Sequence, residues 1–299
     1  MIPSVQKLVL DALGVTSVAA VIGGSMGGMA TLEWPLCTPP GYVKRIVPIA
    51  TAARQNAWGI SWSAVQRSCI VHDPGFRDGK YVPDPAGQPY VGMATARQIA
   101  MLTYRSAISF DRRFGRNLPL SRDQRLSKKG QVNGMVVTAI SPDTQLSKLD
   151  FAAQGYLHYQ GDKFLQRFDA NCYLHMLDKM DLHDLTRERS ESGDDETATL
   201  ARILSSMPRH PLVVSVETDL LFRPEQQVEL AAMMPDAELV LVPSQDGHDG
   251  FLLEFEVLNN AISRYLQEQF PSFYEGDPMI QTDIDMNIGV QSSMFGEME

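Results

Sequence analysis

The stretch Gly23-Gly24-Ser25-Met26-Gly27 constrains the fold of this chain more than any other feature. It follows the apolar run SVAAVIG (17–23), which reads as a buried strand. Helical residues resume after Gly28 and run to about Cys37, where TPPG stops them. G-x-S-x-G between a strand and a helix is the pattern of a nucleophile elbow. The serine sits in a strained turn, and small neighbours let strand and helix approach each other. The helix N-terminus beneath the serine favours developing negative charge. The N–H of Met26, one residue on, is placed to donate to an oxyanion.

The rest of the chain supports an α/β reading. Residues 3–14 have helical spacing of Val5, Leu8, Val9, Ala12 and Leu13, and VKRIVPIA (43–50) is a second buried strand. Helix–strand–helix–strand is the rhythm of a parallel sheet. Between Arg54 and Met207 the pattern turns helical, with ARQIAMLTYRSAI (96–108) and QGDKFLQRFDANCYLHMLDKM (160–180) as helices. GMVVTAI (134–140) is a weak strand signal, while DPAGQP (84–89) and the polar RERSESGDDETAT (187–199) read as loops. The α/β pattern then returns: strand PLVVSV (211–216), helix 223–235, strand AELVLVPS (237–244) and a long helix 250–270. The spacing thus divides the chain into a sheet core (1–53 and 208–270), a helical insertion (54–207) and an acidic, flexible tail (271–299).

Composition narrows the functional classes. The formal net charge is −10, and the most basic run, RDQRLSKK (122–129), is short, so no nucleic-acid footprint is present. The N-terminus is amphipathic rather than a leader, and no apolar run approaches the ~18 residues of a membrane span. Three widely spaced cysteines (Cys37, Cys69, Cys172) form no metal pattern and read as reduced thiols of a cytoplasmic protein.

A nucleophilic serine needs a base and a carboxylate to orient it, and elbow folds supply them in the order Ser, Asp, His. Of six histidines, only His248, in SQDGHDGF, follows a strand late in the chain. His158, His175 and His183 lie in the helical insertion, and His72 and His210 lie in a loop and ahead of a strand. Asp219 lies just past the strand PLVVSV; its neighbour Glu217 falls on the strand end. Asp219 would fix the His248 tautomer, and His248 would deprotonate Ser25.

At this point a resemblance becomes specific. GGSMGGMATLEW, VKRIVPIATAAR, ARQIAMLTYRS, YLHYQGDKFLQRFDANCYL and GHDGFLLE resemble homoserine O-acetyltransferases, fungal members above all, across most of residues 5–270. The resemblance implies an α/β-hydrolase fold with a helical lid and acetyl-CoA as co-substrate, with no permanently bound cofactor or metal. It implies a hydroxyl amino acid as acceptor, in methionine biosynthesis, and a homodimer formed through lid helices. It also implies Ser25, Asp219 and His248 as the catalytic residues, with Arg97, Tyr104 and Asp249 in the substrate pocket. Arg97 and Tyr104 are seven apart and share one helix face, and spacing alone favours a surface pair packing on the lid. An arginine fork suits an α-carboxylate, and Asp249 can receive an α-ammonium group. Serine or a fungal secondary metabolite as acceptor, an esterase-like hydrolase and an inactive relic are the competing readings.

The chain departs from the family in one respect. Only 24 residues precede Ser25, where the fold places four strands and a loop that supplies a second oxyanion donor. The expectation is an N-terminally truncated sheet with an exposed strand edge. One donor then remains, the Met26 N–H, and activity of this chain alone should be weak or absent.

Overall fold

The computed structural model describes residues 2–84, 87–118, 151–191, 193 and 195–275. The weak strand 134–140, the basic run 122–129 and the tail from residue 276 lie outside the described residues.

Four parallel strands form one sheet in the order β1 (Val18–Gly24), β2 (Val43–Ile49), β3 (Leu212–Val216), β4 (Glu238–Val242). These are the four strong strand signals of the sequence. Among the described residues β1 lies at one end of the sheet, with Ile22 43% exposed. Every residue of β3 is buried, as an apolar run without polar alternation requires of a strand covered on both faces. Successive β3 residues feed two cores. Val213 joins Leu32 and Trp34 of α2 (Met26–Leu36), Leu200 and Leu204 of α8 (Glu196–Ser205) and Leu230 of α9 (Pro224–Met233). Leu212, Val214 and Val216 turn the other way, onto Leu258 and Tyr265 of α11 (Phe255–Gln269). Each fully buried aliphatic of this kind contributes about 1.5–3 kcal/mol of transfer free energy. α1 (Ile2–Ala12) lies at the first of these faces through Leu10.

The excursion between β2 and β3 is helical, as its spacing suggests, but its divisions differ. α3 (Ala57–Val71) is followed by α4 (Tyr90–Tyr104) and α5 (Ala107–Phe114), so the single helix expected over 96–108 is two, parted at Arg105 and Ser106. Ser106 caps α5 by accepting from the Ser109 N–H. The helix expected over 160–180 is also two, α6 (Ala152–Leu165) and α7 (Ala170–Asp181), with Asp169 capping the second. Of the polar stretch 187–199, the residues from Glu196 on belong to α8, which Asp195 caps. The final helix breaks as well: α10 (Gly250–Leu253) ends at Glu254 and α11 begins at Phe255. At Ser106, Asp169 and Asp195 the cause is the same: a side-chain cap starts a new helix inside a pattern that continues across it.

The excursion leaves and returns through a narrow neck. Arg54 and Asp184 form an antiparallel bridge. Leu185 N–H donates to Ala53 O (3.0 Å), Gln55 N–H to His183 O (2.9 Å), and the buried His183 places Nε2 3.0 Å from Ala52 O. The insertion therefore closes near residue 184, not 207, because α8 packs in the sheet core with α2 and α9.

The elbow is packed more tightly on one side than the motif suggests. A Cβ on Gly23 would stand 2.3 Å from Gly27 O, backbone that cannot yield, whereas a Cβ on Gly27 meets nothing within 4 Å. Gly23→Ala is expected to destabilise the protein by about 1–3 kcal/mol or more in urea titration. Gly27→Ala, in the first turn of α2, is expected to be neutral or stabilising by up to about 1 kcal/mol.

Candidate active site

Parallel strands end on the same side, so the loops after β1, β3 and β4 meet there. Ser25 follows β1, Asp219 follows β3, and His248 follows β4 in a 3-10 turn, Gly247–Asp249. Ser25 is held at φ 56, ψ −123. Its N–H donates to Ile49 O (2.9 Å), and its carbonyl accepts from Thr51 Oγ1 (2.8 Å) and Met29 N (3.1 Å). Ser25 Oγ lies 2.9 Å from His248 Nε2, and His248 Nδ1 lies 2.6 Å from Asp219 Oδ2. Asp219 Oδ1 accepts from the N–H groups of Leu221 (2.8 Å) and Phe222 (2.9 Å), which fixes its carboxylate. An ionised carboxylate only accepts, so Nδ1 carries the hydrogen and Nε2 presents its lone pair to the Ser25 hydroxyl. The structure thus brings the three sequence-selected residues into one hydrogen-bonded chain, while Glu217 is exposed at the turn. Met26 is the first residue of α2, so its N–H has no acceptor in the helix and lies beside Ser25.

His248 is buried among Phe222, Phe251 and Tyr104, whose ring centroids lie 5.4, 5.2 and 6.2 Å away. Burial pulls its pKa down, but the charge and hydrogen bond of Asp219, with Asp249 beside it, outweigh this and leave it above the ordinary value. Phe251 also closes on the elbow: a Cβ at Gly24 would stand 2.5 Å from its ring.

The lid residues named by the sequence turn toward this site. Arg97 is buried on α4, its guanidinium 5.5 Å from the Tyr104 ring centroid and 4.8 Å from that of Phe164 on α6. Its Nε is buried without a hydrogen-bond partner among the described residues. Arg97 and Tyr104 therefore link the lid to His248 rather than packing on the lid surface. Asp249 is buried, and Oδ2 is 2.8 Å from Nε of Arg105. Burial pushes its pKa up to about 6, against the opposing pull of Arg105, His248 and Arg97.

Sequence reasoning missed Arg105, Asp246 and Tyr156. Arg105 pairs with Asp246 (3.1 Å) as well as Asp249. Tyr156 on α6 buries a hydroxyl without a partner among the described residues and feels the charges of Arg105, Arg113, Asp249 and Arg97. Arg105 follows Tyr104 and Asp246 lies two residues before His248, but nothing local signals that they meet. A half-buried tyrosine in an apolar period gives no sign that its hydroxyl is buried. The geometry is that of a serine nucleophile with a general base, with a buried cation, Arg97, and a buried carboxylate, Asp249, close to it.

A sequence family described as alpha/beta hydrolase fold matches residues 2–255. The homoserine O-acetyltransferase of Cryptococcus neoformans var. grubii is 38% identical, over 98% of this chain and 73% of its own length. That of Emericella nidulans is 37% identical, over 99% of this chain and 70% of its own. Among solved structures, a homoserine O-acetyltransferase from Bacillus anthracis superposes with a TM-score of 0.70 at 17% identity, over 89% of this chain and 64% of that one. Esterase E22 gives 0.67 at 21%, over 88% of this chain and 65% of that one. The chain thus spans slightly less than two thirds of those two structures, and at such identities they bear on the fold alone.

Ser25 is activated only while His248 is neutral. Because the His248 pKa is raised, the acid limb of Ser25 reactivity should have its midpoint above the ordinary 6.5. Reaction of Ser25 with a fluorophosphonate, followed against pH, reads this directly. Asp219→Asn, which leaves Nδ1 without its acceptor, should slow that reaction on the order of 10⁴-fold.

Proposed function

Because the chain belongs to the homoserine O-acetyltransferase family, on the α/β-hydrolase fold, we propose that it moves the acetyl group of acetyl-CoA to the hydroxyl of L-homoserine. The observation that carries this reading is the hydrogen-bonded series Ser25–His248–Asp219 beneath a lid that presents Arg97 and Tyr104. In the first half-reaction His248 Nε2 takes the Ser25 proton as Oγ attacks the thioester carbon. The carbon–sulfur bond breaks, and the proton passes from Nε2 to the departing CoA sulfur, leaving acetyl-Ser25. In the second, Nε2 takes the proton of the homoserine hydroxyl, whose oxygen attacks the acetyl carbon. The ester bond to Ser25 breaks, and the proton returns to Oγ. The Met26 N–H donates to the oxyanion in both steps. Asp219 holds the tautomer and stabilises the imidazolium without taking the proton.

Arg97 receives the acceptor's α-carboxylate and Asp249 its α-ammonium group, so the pocket selects a zwitterion that carries a hydroxyl. Such a step belongs to methionine biosynthesis. Water at ~55 M is the competing acceptor, and the lid helices α4 and α6 exclude it. The exposed Trp58 and Val65, seven apart on one face of α3 with Trp62 against Trp58, offer an apolar lid surface for pairing of two copies.

Mass spectrometry of the protein after exposure to acetyl-CoA should show an acetyl adduct on Ser25 that L-homoserine discharges as O-acetylhomoserine. Discharge to acetate at a rate that L-homoserine does not change would make the protein a hydrolase. An adduct discharged by serine in preference to homoserine would move the acceptor.

A further inference from the structure

The two acids on either side of Gly247-His248 are tied to one lid side chain. Arg105, immediately after α4, is 4% exposed at its side chain, with Nε 2.8 Å from Asp249 Oδ2 and Nη1 3.1 Å from Asp246 Oδ1. The same joint between α4 and α5 grips the histidine loop at further points. Ser106 Oγ donates to Gln245 O, Ser109 Oγ donates to Asp246 Oδ1, and Arg112 Nη2 lies 3.2 Å from Asp246 Oδ2. Gly247 has φ 68, and a Cβ there would stand 2.6 Å from Ser106 N. Loop and joint are in contact backbone to backbone.

A buried cation between two carboxylates gains little stability over an apolar cluster of the same volume. What a planar fork adds is direction. We propose that Arg105 is a positioning residue for the acceptor half of the reaction: it engages Oδ2 of Asp249 and so orients that carboxylate toward the ammonium group of the incoming amino acid. This rests on Asp249 as the ammonium receptor proposed above. The groups that face Asp249 are Arg97 from α4, Arg105 from the joint, Tyr156 from α6 and His248 on its own turn. Asp246 lies across Arg105. Burial already raises the Asp249 pKa to about 6 with Arg105 in place. Without the Arg105 cation it rises further, and a neutral acid forms no ion pair with an ammonium group.

The test uses the full chain with Arg105→Met and Arg105→Lys, each also in a Ser25→Ala background. The carboxyl carbon of Asp249, assigned through Asp249→Asn, is titrated by NMR. L-homoserine binding is measured by calorimetry in the Ser25→Ala proteins. Arg105→Met should raise the Asp249 midpoint by about two units, and weaken binding about tenfold near pH 7. That loss should shrink near pH 8.5, where the carboxyl ionises again. Arg105→Lys, which keeps the charge and loses the fork, should fall between, and it carries the test if Arg105→Met does not fold. An unchanged midpoint, or binding unchanged within about twofold, overturns the assignment alone. Failure of the Ser25→Ala protein itself to bind L-homoserine overturns the acceptor reading and this assignment with it.

Discussion

The site depends on the backbone of Ser25 staying where few non-glycine residues go. A positive φ at a serine costs on the order of 1–3 kcal/mol and persists only where its surroundings over-determine it. Here they do: its N–H and carbonyl are engaged by Ile49, Thr51 and Met29, and Gly23 and Gly24 are pressed against Gly27 and Phe251. Ile49 and Thr51 belong to the end of β2 and the loop after it, and Phe251 to the histidine loop's helix. The sheet register that pairs β1 with β2 and the turn that carries His248 therefore set the serine's conformation. Core packing and chemistry are linked through this one residue.

The same coupling extends to the lid. Tyr104 faces His248, Arg97 lies against Tyr104 and Phe164, and the α4–α5 joint is clamped to residues 245–249. His248, Asp249 and Arg97 thus share one neighbourhood drawn from two distant parts of the chain. Such an arrangement holds reacting groups in register without a separate closing element for each.

How much of this was legible in the sequence followed from how local each signal was. The four strands, the elbow and the order of Ser25, Asp219 and His248 are written in short stretches, each with its own periodicity and turn chemistry. Arg97, Tyr104 and Asp249 came from a resemblance, since spacing alone left the first two as surface packing. The breaks at Arg105, before Asp169 and at Glu254 were hidden because the apolar period runs through them. Ser106 and Asp169 end the period by capping, a competition between side chain and backbone that hydrophobic spacing does not register. The Arg105–Asp246 pair joins residues 141 positions apart, and no local pattern encodes it. α8 was assigned to the insertion because a helical pattern cannot say against which layer its apolar face packs.

The neck at Ala53–Gln55 and His183–Leu185 has a consequence for how such a protein diversifies. An excursion whose two ends are pinned to each other presents the sheet with the same pair of attachment points whatever lies between them. Extending it is cheap, at about 0.6 kcal/mol for each doubling of length. The helices of the excursion can thus be recast as a cassette, while Ser25, His248 and Asp219 stay on the loops that follow the strands. The contact between the α4–α5 joint and the histidine loop, and that of Tyr104 with His248, have to be kept in any exchange.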